Sequence, residues 1–333
     1  MTLPRRALVS PDTTPYYHCV SRCVRRAFLC GRDSNTGQCF EHRRQWIEDR
    51  ILTMSNVFAL DVCGYAVMSN HYHLVLHINQ DKSAAWSMDE VIRLWHQLFK
   101  GSLLSRRFER GERLHPVEFE LLSKLVETWR ARLTDISWFM RILNESIARE
   151  ANREDRCTGR FWEGRFKSQA LLDECALAAC LAYVDLNPVR AAIAETPEAS
   201  DHTSIQQRIR AAREGLQPPA LFPFAGNPRA SMPDGLPFAL RDYLELLDWS
   251  GRLLRSDKRG AIASCQPPIL QRLQIDSRQW QYLTRNFESR FRSLVGTETS
   301  VRRACERLGK RWAQGIRDCA HYLSPNASPT ATS

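Results

Sequence analysis

Two histidines separated by one residue, His71 and His73, stand in the run His71-Tyr72-His73-Leu74-Val75-Leu76-His77-Ile78. On a β-strand, residues i and i+2 project from one face with backbones about 7 Å apart, so their imidazoles can converge on a single cation. The same spacing also suits two solvated rings on the open side of a half-buried strand, and the pair alone does not choose between the two. Tyr72, Leu74, Leu76 and Ile78 point the other way and read as the buried face, with Tyr72 in the core. His77 continues the histidine face and is expected at a solvated strand end. The 11 cysteines include Cys19, Cys23, Cys30 and Cys39, none of them in a CxxC pair, and their spacings do not match the knuckles of a structural zinc site. Free thiols of a cytosolic protein are the expectation.

The elements that must carry the histidines can be read around them. YYHCVSRCV and FALDVCGYAVM are rich in β-formers, with a charged helical stretch over 41–56 between them. Ser69-Asn70 reads as a tight turn into the histidine strand. Helical patterns follow over 87–108 and 136–152, then a strand-like run over 164–171. A last helix starts at Asp173, a good N-cap, and runs through ECALAACLAYVDL toward Asn187-Pro188. The order strand, helix, strand, strand, helix, strand, helix predicts a ferredoxin-like α+β sandwich with an antiparallel sheet.

A chain of 333 residues with 43% hydrophobic and 25% charged residues has the composition of a globular protein of about two domains. No stretch approaches the roughly 20 apolar residues of a membrane span, and the first residues lack a signal-peptide apolar region. A soluble cytoplasmic protein is expected, with no membrane partner. The net charge is +10, and residues 201–333 carry 20 Lys+Arg against 12 Asp+Glu, so most of the excess lies in the last third. Only six of the 47 basic residues are lysines, and arginine is the side chain whose planar fork matches phosphate oxygens. That balance favours nucleic acid over a small neutral substrate. A Pro/Gly-rich stretch suggests a division into 1–210, a linker at 211–238, a basic helical domain at 239–322 and a frayed tail at 323–333. In the helical region Phe287, Phe291, Leu294, Leu308, Trp312 and Ile316 recur among arginines, as in helices with one buried and one basic face.

Four segments, in order, resemble the single-tyrosine HUH transposases, in particular the REP-associated tyrosine transposases. They are Tyr17–Arg22, the run GYAVMSNHYHLVLHI around His71 and His73, FWEGRFKS at Phe161–Ser168, and AYVDLNPVRA at Ala182–Ala191, with DHTS at Asp201–Ser204 as a weaker echo. The resemblance spans about residues 14–206. It implies that Tyr183 is a nucleophile, that His71 and His73 hold Mg²⁺ or Mn²⁺, and that Asn187, one helical turn beyond the tyrosine, is a third ligand. Asn187 precedes a proline, so capping of a short helix after it is the competing role. Arg22, Arg165, Lys167 and Arg190 are candidate phosphate contacts. The family also implies single-stranded DNA as partner, at hairpin elements such as REP sequences. Two features depart from the family pattern: a longer segment from Asp81 to Leu133, and the chain beyond residue 210.

The resulting expectation is a metal-dependent single-strand DNA endonuclease and strand transferase that works through a 5′-phosphotyrosine intermediate. The competing reading is a DNA-binding regulator that keeps the fold without cleavage. Monomer and homodimer are left open. A barrel metallohydrolase would need further histidine and aspartate ligands at strand ends and repeated βα units, whereas the last third of the chain reads as helical.

Overall fold

The computed structural model describes residues 9–24, 29–32, 37–226, 234–254 and 266–324. Parts of the expected linker and tail, 227–233 and 325–333, lie outside the described residues. The chain opens with β1 (Tyr16–Arg22), α1 (Arg43–Ser55), β2 (Leu60–Val67) and β3 (His71–Ile78). Met68 donates its N–H to the His71 carbonyl at 2.8 Å, which closes the hairpin over Ser69-Asn70. Next come α2 (Gln80–Ala85), α3 (Met88–His96), α4 (Leu103–Glu109), α5 (Pro116–Leu133) and α6 (Ile136–Glu154). The helix expected over 87–108 is two helices. Gly101 sits at φ +68°, where an added Cβ would collide with His96, and its left-handed backbone breaks the run. β4 (Lys167–Leu171) and α7 (Glu174–Asp185) complete the ferredoxin-like unit. Asp173 caps α7 by accepting the Ala176 N–H at 3.0 Å.

The sheet order is β2-β3-β1-β4-β5, with β1 antiparallel to β3 and β4, and β2 antiparallel to β3. The fold is therefore the α+β sandwich that the element order predicts, followed by a helical C-terminal region. Helices α8 (Asn187–Arg190), α9 (Ser204–Arg213), α10 (Leu240–Leu254), α11 (Pro268–Leu273), α12 (Ser277–Arg290), α13 (Glu298–Arg307) and α14 (Ile316–Tyr322) make up the remainder, with β5 (Leu294–Val295) between α12 and α13. β5 pairs parallel to β4 and so extends the sheet with residues from the far end of the chain.

Both faces of the sheet are covered, which changes the environment expected for the histidine strand. On one face the Tyr72 hydroxyl donates to Asn144 Oδ1 of α6 at 2.7 Å, and α1 packs on β2 and α6. On the other, α7 lies so close that a Cβ on Gly64 would approach Leu181 Cδ2 at 3.1 Å. Every residue of α7 from Cys175 to Asp185 is buried, because α12 covers its outer side. A helix apolar on all sides, as ALAACLAYV is, needs such a double cover. His77 accordingly is not a solvated strand end: it pairs with Asp61 at 2.9 Å and stacks on Phe222 at 4.6 Å.

Candidate active site

Strand pairing decides which side chains meet. In the β1–β3 register Val20 faces His73 and His18 faces Val75, while in β1–β4 His18 faces Gln169 and Val20 faces Lys167. His18, Val20 and Arg22, His71 and His73, and Lys167 and Gln169 therefore share the face that α7 covers. Tyr183 projects from the last turn of α7 onto this patch, with its ring 5.5 Å from His73 and 6.3 Å from His18. The helical path continues past Leu186, whose N–H reaches the Ala182 carbonyl and whose own carbonyl accepts from Arg190. Asn187 thus stays on the Tyr183 face. The N-terminus of α8 has no side-chain cap, so capping is not the role of Asn187; its Nδ2 lies 2.9 Å from His73 Nε2. A half-turn of the amide would bring Oδ1 to the same place.

A fourth group comes from α12. One ligand atom each of His71, His73 and Glu288 lie within 4.8 Å of one another, and Glu288 Oε2 accepts from the Tyr183 hydroxyl at 3.4 Å. Lys167 Nζ approaches the other carboxylate oxygen at 3.8 Å. The sequence offers no signal for Glu288, which stands in a charged helix 105 residues after Tyr183.

The tautomers of the histidines follow from the bonds behind them. Gln169 Nε2 donates to the Phe291 carbonyl at 2.8 Å, which leaves Oε1 to accept from His18 Nδ1 at 2.7 Å. His18 Nε2 is then the acceptor, and it lies 3.0 Å from His73 Nδ1, which must carry the proton. His73 Nε2 is left as a lone pair facing His71 Nε2 at 3.0 Å. On the other side His71 Nδ1 lies 2.5 Å from Asn70 Oδ1; with the amide in that orientation it donates, and its Nε2 is a lone pair as well. Burial holds His73 and His18 below the usual imidazole range, and it holds His71 down to about 4 with the Arg22 guanidinium adding to the effect. Two neutral rings with lone pairs face to face, beside an amide and a carboxylate, fit a divalent cation between them. The sequence places His18 within a matching segment but gives no role to it or to Gln169. Their part becomes visible only when β1 is paired with its two neighbours.

Tyr183 is 6% exposed. Burial pushes its hydroxyl up; Arg190 opposes that and Glu288 adds to it. The Arg190 guanidinium lies 4.0 Å from the centre of the Tyr183 ring and donates to the Thr284 carbonyl at 2.9 Å. Of the other expected phosphate contacts, Arg22, Arg165 and Lys167 line one cavity of about 230 Å³ together with Val20, Glu163 and Gly164. The four basic residues thus divide, three around a cleft and one over the tyrosine.

No protein-family description matches the chain, and no curated protein matches its sequence. Among solved structures, a REP-associated tyrosine transposase bound to a REP hairpin matches over 71% of this chain and 97% of that chain, with 13% sequence identity and a TM-score of 0.37. A likeness that small carries no weight beside the geometry above. Among the described residues, no helix is long and apolar enough to cross a membrane.

Proposed function

We propose that the protein is a metal-dependent single-strand DNA endonuclease and strand transferase of the HUH single-tyrosine type, acting in the cytoplasm. The observation that carries this reading is the meeting of Tyr183 and Asn187 with His71 and His73, from elements far apart in sequence, at one point beside Glu288. His71, His73 and Asn187 would hold Mg²⁺ or Mn²⁺, with the Glu288 carboxylate as a further oxygen donor. A divalent ion there supplies Lewis-acid polarisation of the scissile phosphate.

The residues of the chain do the rest. Tyr183 Oη attacks phosphorus: the Oη–P bond forms, the P–O3′ bond breaks, the phenol proton passes to solvent, and the departing O3′ takes up a proton as a free 3′-OH. The 5′-phosphotyrosine keeps the bond energy, so a second 3′-OH can reverse the step without ATP. Arg190 over the ring opposes the upward push that burial gives the hydroxyl. Arg22, Arg165 and Lys167 suit flanking phosphates. Single-stranded segments at hairpins, of the REP-like kind, suit such a site because unpaired bases can be reached without opening a duplex.

The burial of Tyr183 under α12 favours a second reading, a DNA-binding regulator without cleavage. One experiment separates the two. A labelled hairpin oligonucleotide with single-stranded flanks is incubated with Mn²⁺ or Mg²⁺, and the protein is resolved under denaturing conditions. A covalent adduct with wild type that is lost in Tyr183→Phe and in EDTA supports cleavage. Binding without an adduct supports the regulator, and an adduct that survives in Tyr183→Phe moves the nucleophile elsewhere.

A further inference from the structure

Beside the histidine–glutamate cluster lies a second cavity, of about 320 Å³, which shares Val20 and Lys167 with the Arg22–Arg165 cleft. Its size is at the lower end for small-ligand sites, which run from about 300 to 1,000 Å³. One wall belongs to the candidate active site, with Lys167 and Glu288; the other is built by Phe291, Arg292, Ser293 and Gln314 of the C-terminal region. Within the described residues, the side chains of Arg292, Ser293 and Gln314 make no hydrogen bond or ion pair. Arg292 and Gln314 are exposed and Ser293 is half-buried, so all three can turn donors and acceptors toward a ligand in the cavity. The cavity is not a phosphate site alone, because the Glu288 carboxylate stands in its wall and a hydroxyl and an amide supply the edge chemistry. Two residues from Gln314, Trp312 is 71% exposed and stacks on no other ring among the described residues, against the expectation that it joins the buried side of a helix.

We propose that this cavity is a nucleobase subsite. It receives one unpaired base of a single strand whose backbone follows the Arg22, Arg165 and Lys167 cleft. Gln314 and Ser293 read the base edge, and Trp312, exposed two residues before Gln314 in the chain, is offered to the next base. The proposal rests on the single-strand reading above and adds to it a source of base preference supplied by the C-terminal region. A base is the ligand class favoured by the mixed lining: flat, of modest size, with donors and acceptors on one edge. Its neighbouring phosphate then falls to Lys167, whose side chain is 76% exposed where the two cavities meet.

The test uses the full chain in EDTA, so that binding is read without chemistry. Fluorescein-labelled single-stranded octamers that differ at one position are titrated by anisotropy with wild type, Gln314→Ala and Trp312→Ala, and thermal unfolding of the variants checks that the fold is kept. Wild type is expected to prefer one base by about tenfold or more. Gln314→Ala should flatten that preference while leaving the salt dependence unchanged. Trp312→Ala should weaken all octamers by about 5- to 150-fold, the equivalent of one lost base stack. Octamer binding with a base preference that neither variant alters would overturn the subsite and leave the single-strand reading standing. Wild type that binds no octamer would overturn both. Cleavage can fail in the Tyr183 experiment while the base preference persists, so the two failures are distinguishable.

Discussion

Replacing His18 with alanine tests whether the tautomer of His73 is imposed from behind. His18 is wholly buried, and it connects Gln169 at 2.7 Å to His73 at 3.0 Å. Without it, Gln169 Oε1 loses its donor and His73 Nδ1 loses its acceptor, each at a cost of about 1–3 kcal/mol for a buried polar group left unpaired. His73 is then free to move its proton to Nε2, where it would block the lone pair that faces His71. Loss of such an outer partner typically weakens metal affinity by about 10- to 100-fold, equivalent to about 1.4–2.8 kcal/mol. Isothermal titration with Mn²⁺ measures the affinity, and long-range ¹⁵N–¹H correlations on the metal-free protein report which His73 nitrogen is protonated. His18→Gln keeps an acceptor toward His73 and a donor toward Gln169, so it should recover most of the affinity if the bond order matters. A His18→Ala protein that binds Mn²⁺ within twofold of wild type, or a glutamine variant no better than alanine, would refute the reasoning.

The other predictions concern the surrounding groups. Glu288→Gln should reduce Mn²⁺ affinity at least about tenfold if the carboxylate is a ligand; titration of the variant checks this, and an unchanged affinity removes Glu288 from the set. Mn²⁺ should bind tighter than Mg²⁺, since two imidazoles suit the softer ion, as competition titration can show. Burial raises the Glu48 carboxyl, but hydrogen bonds from His202 and Tyr65 outweigh it and hold the group below its ordinary value. Its contribution to stability is therefore present above the unfolded value of about 4.3 and is lost as pH falls through the lower folded value. Denaturant melts of wild type and Glu48→Gln at pH 7, 5 and 4 should converge toward the acid end. Ending the chain at residue 226 removes α12 and uncovers α7; loss of the buried Leu283 and Phe287 alone costs about 1.5–3 kcal/mol each. A fragment that melts cooperatively at the wild-type temperature would contradict that account.

Local pattern by itself determined β1 to β4, α1, α6 and α7, while the resemblance, not periodicity, singled out Tyr183 and Asn187. Alternation placed His71 and His73 on one face of one strand; an N-cap at Asp173 and an apolar run set the start of α7; the interval of four placed Asn187 beneath Tyr183. These are statements about neighbours in sequence, where periods of 2 and 3.6 suffice. Tertiary structure decided what pairing and packing bring from afar. Register between β1, β3 and β4 lined up His18 and Gln169 behind His73, and a strand carries no record of its partner's register. The cover that α12 lays on α7 turned an expected half-open histidine face into a buried one, and with it lowered the histidines and raised Tyr183. Glu288 entered the cluster, and β5 entered the sheet, because hydrophobic burial of α7 needed a second layer. That requirement is written in the composition of α7, but the residues that meet it stand about a hundred positions away.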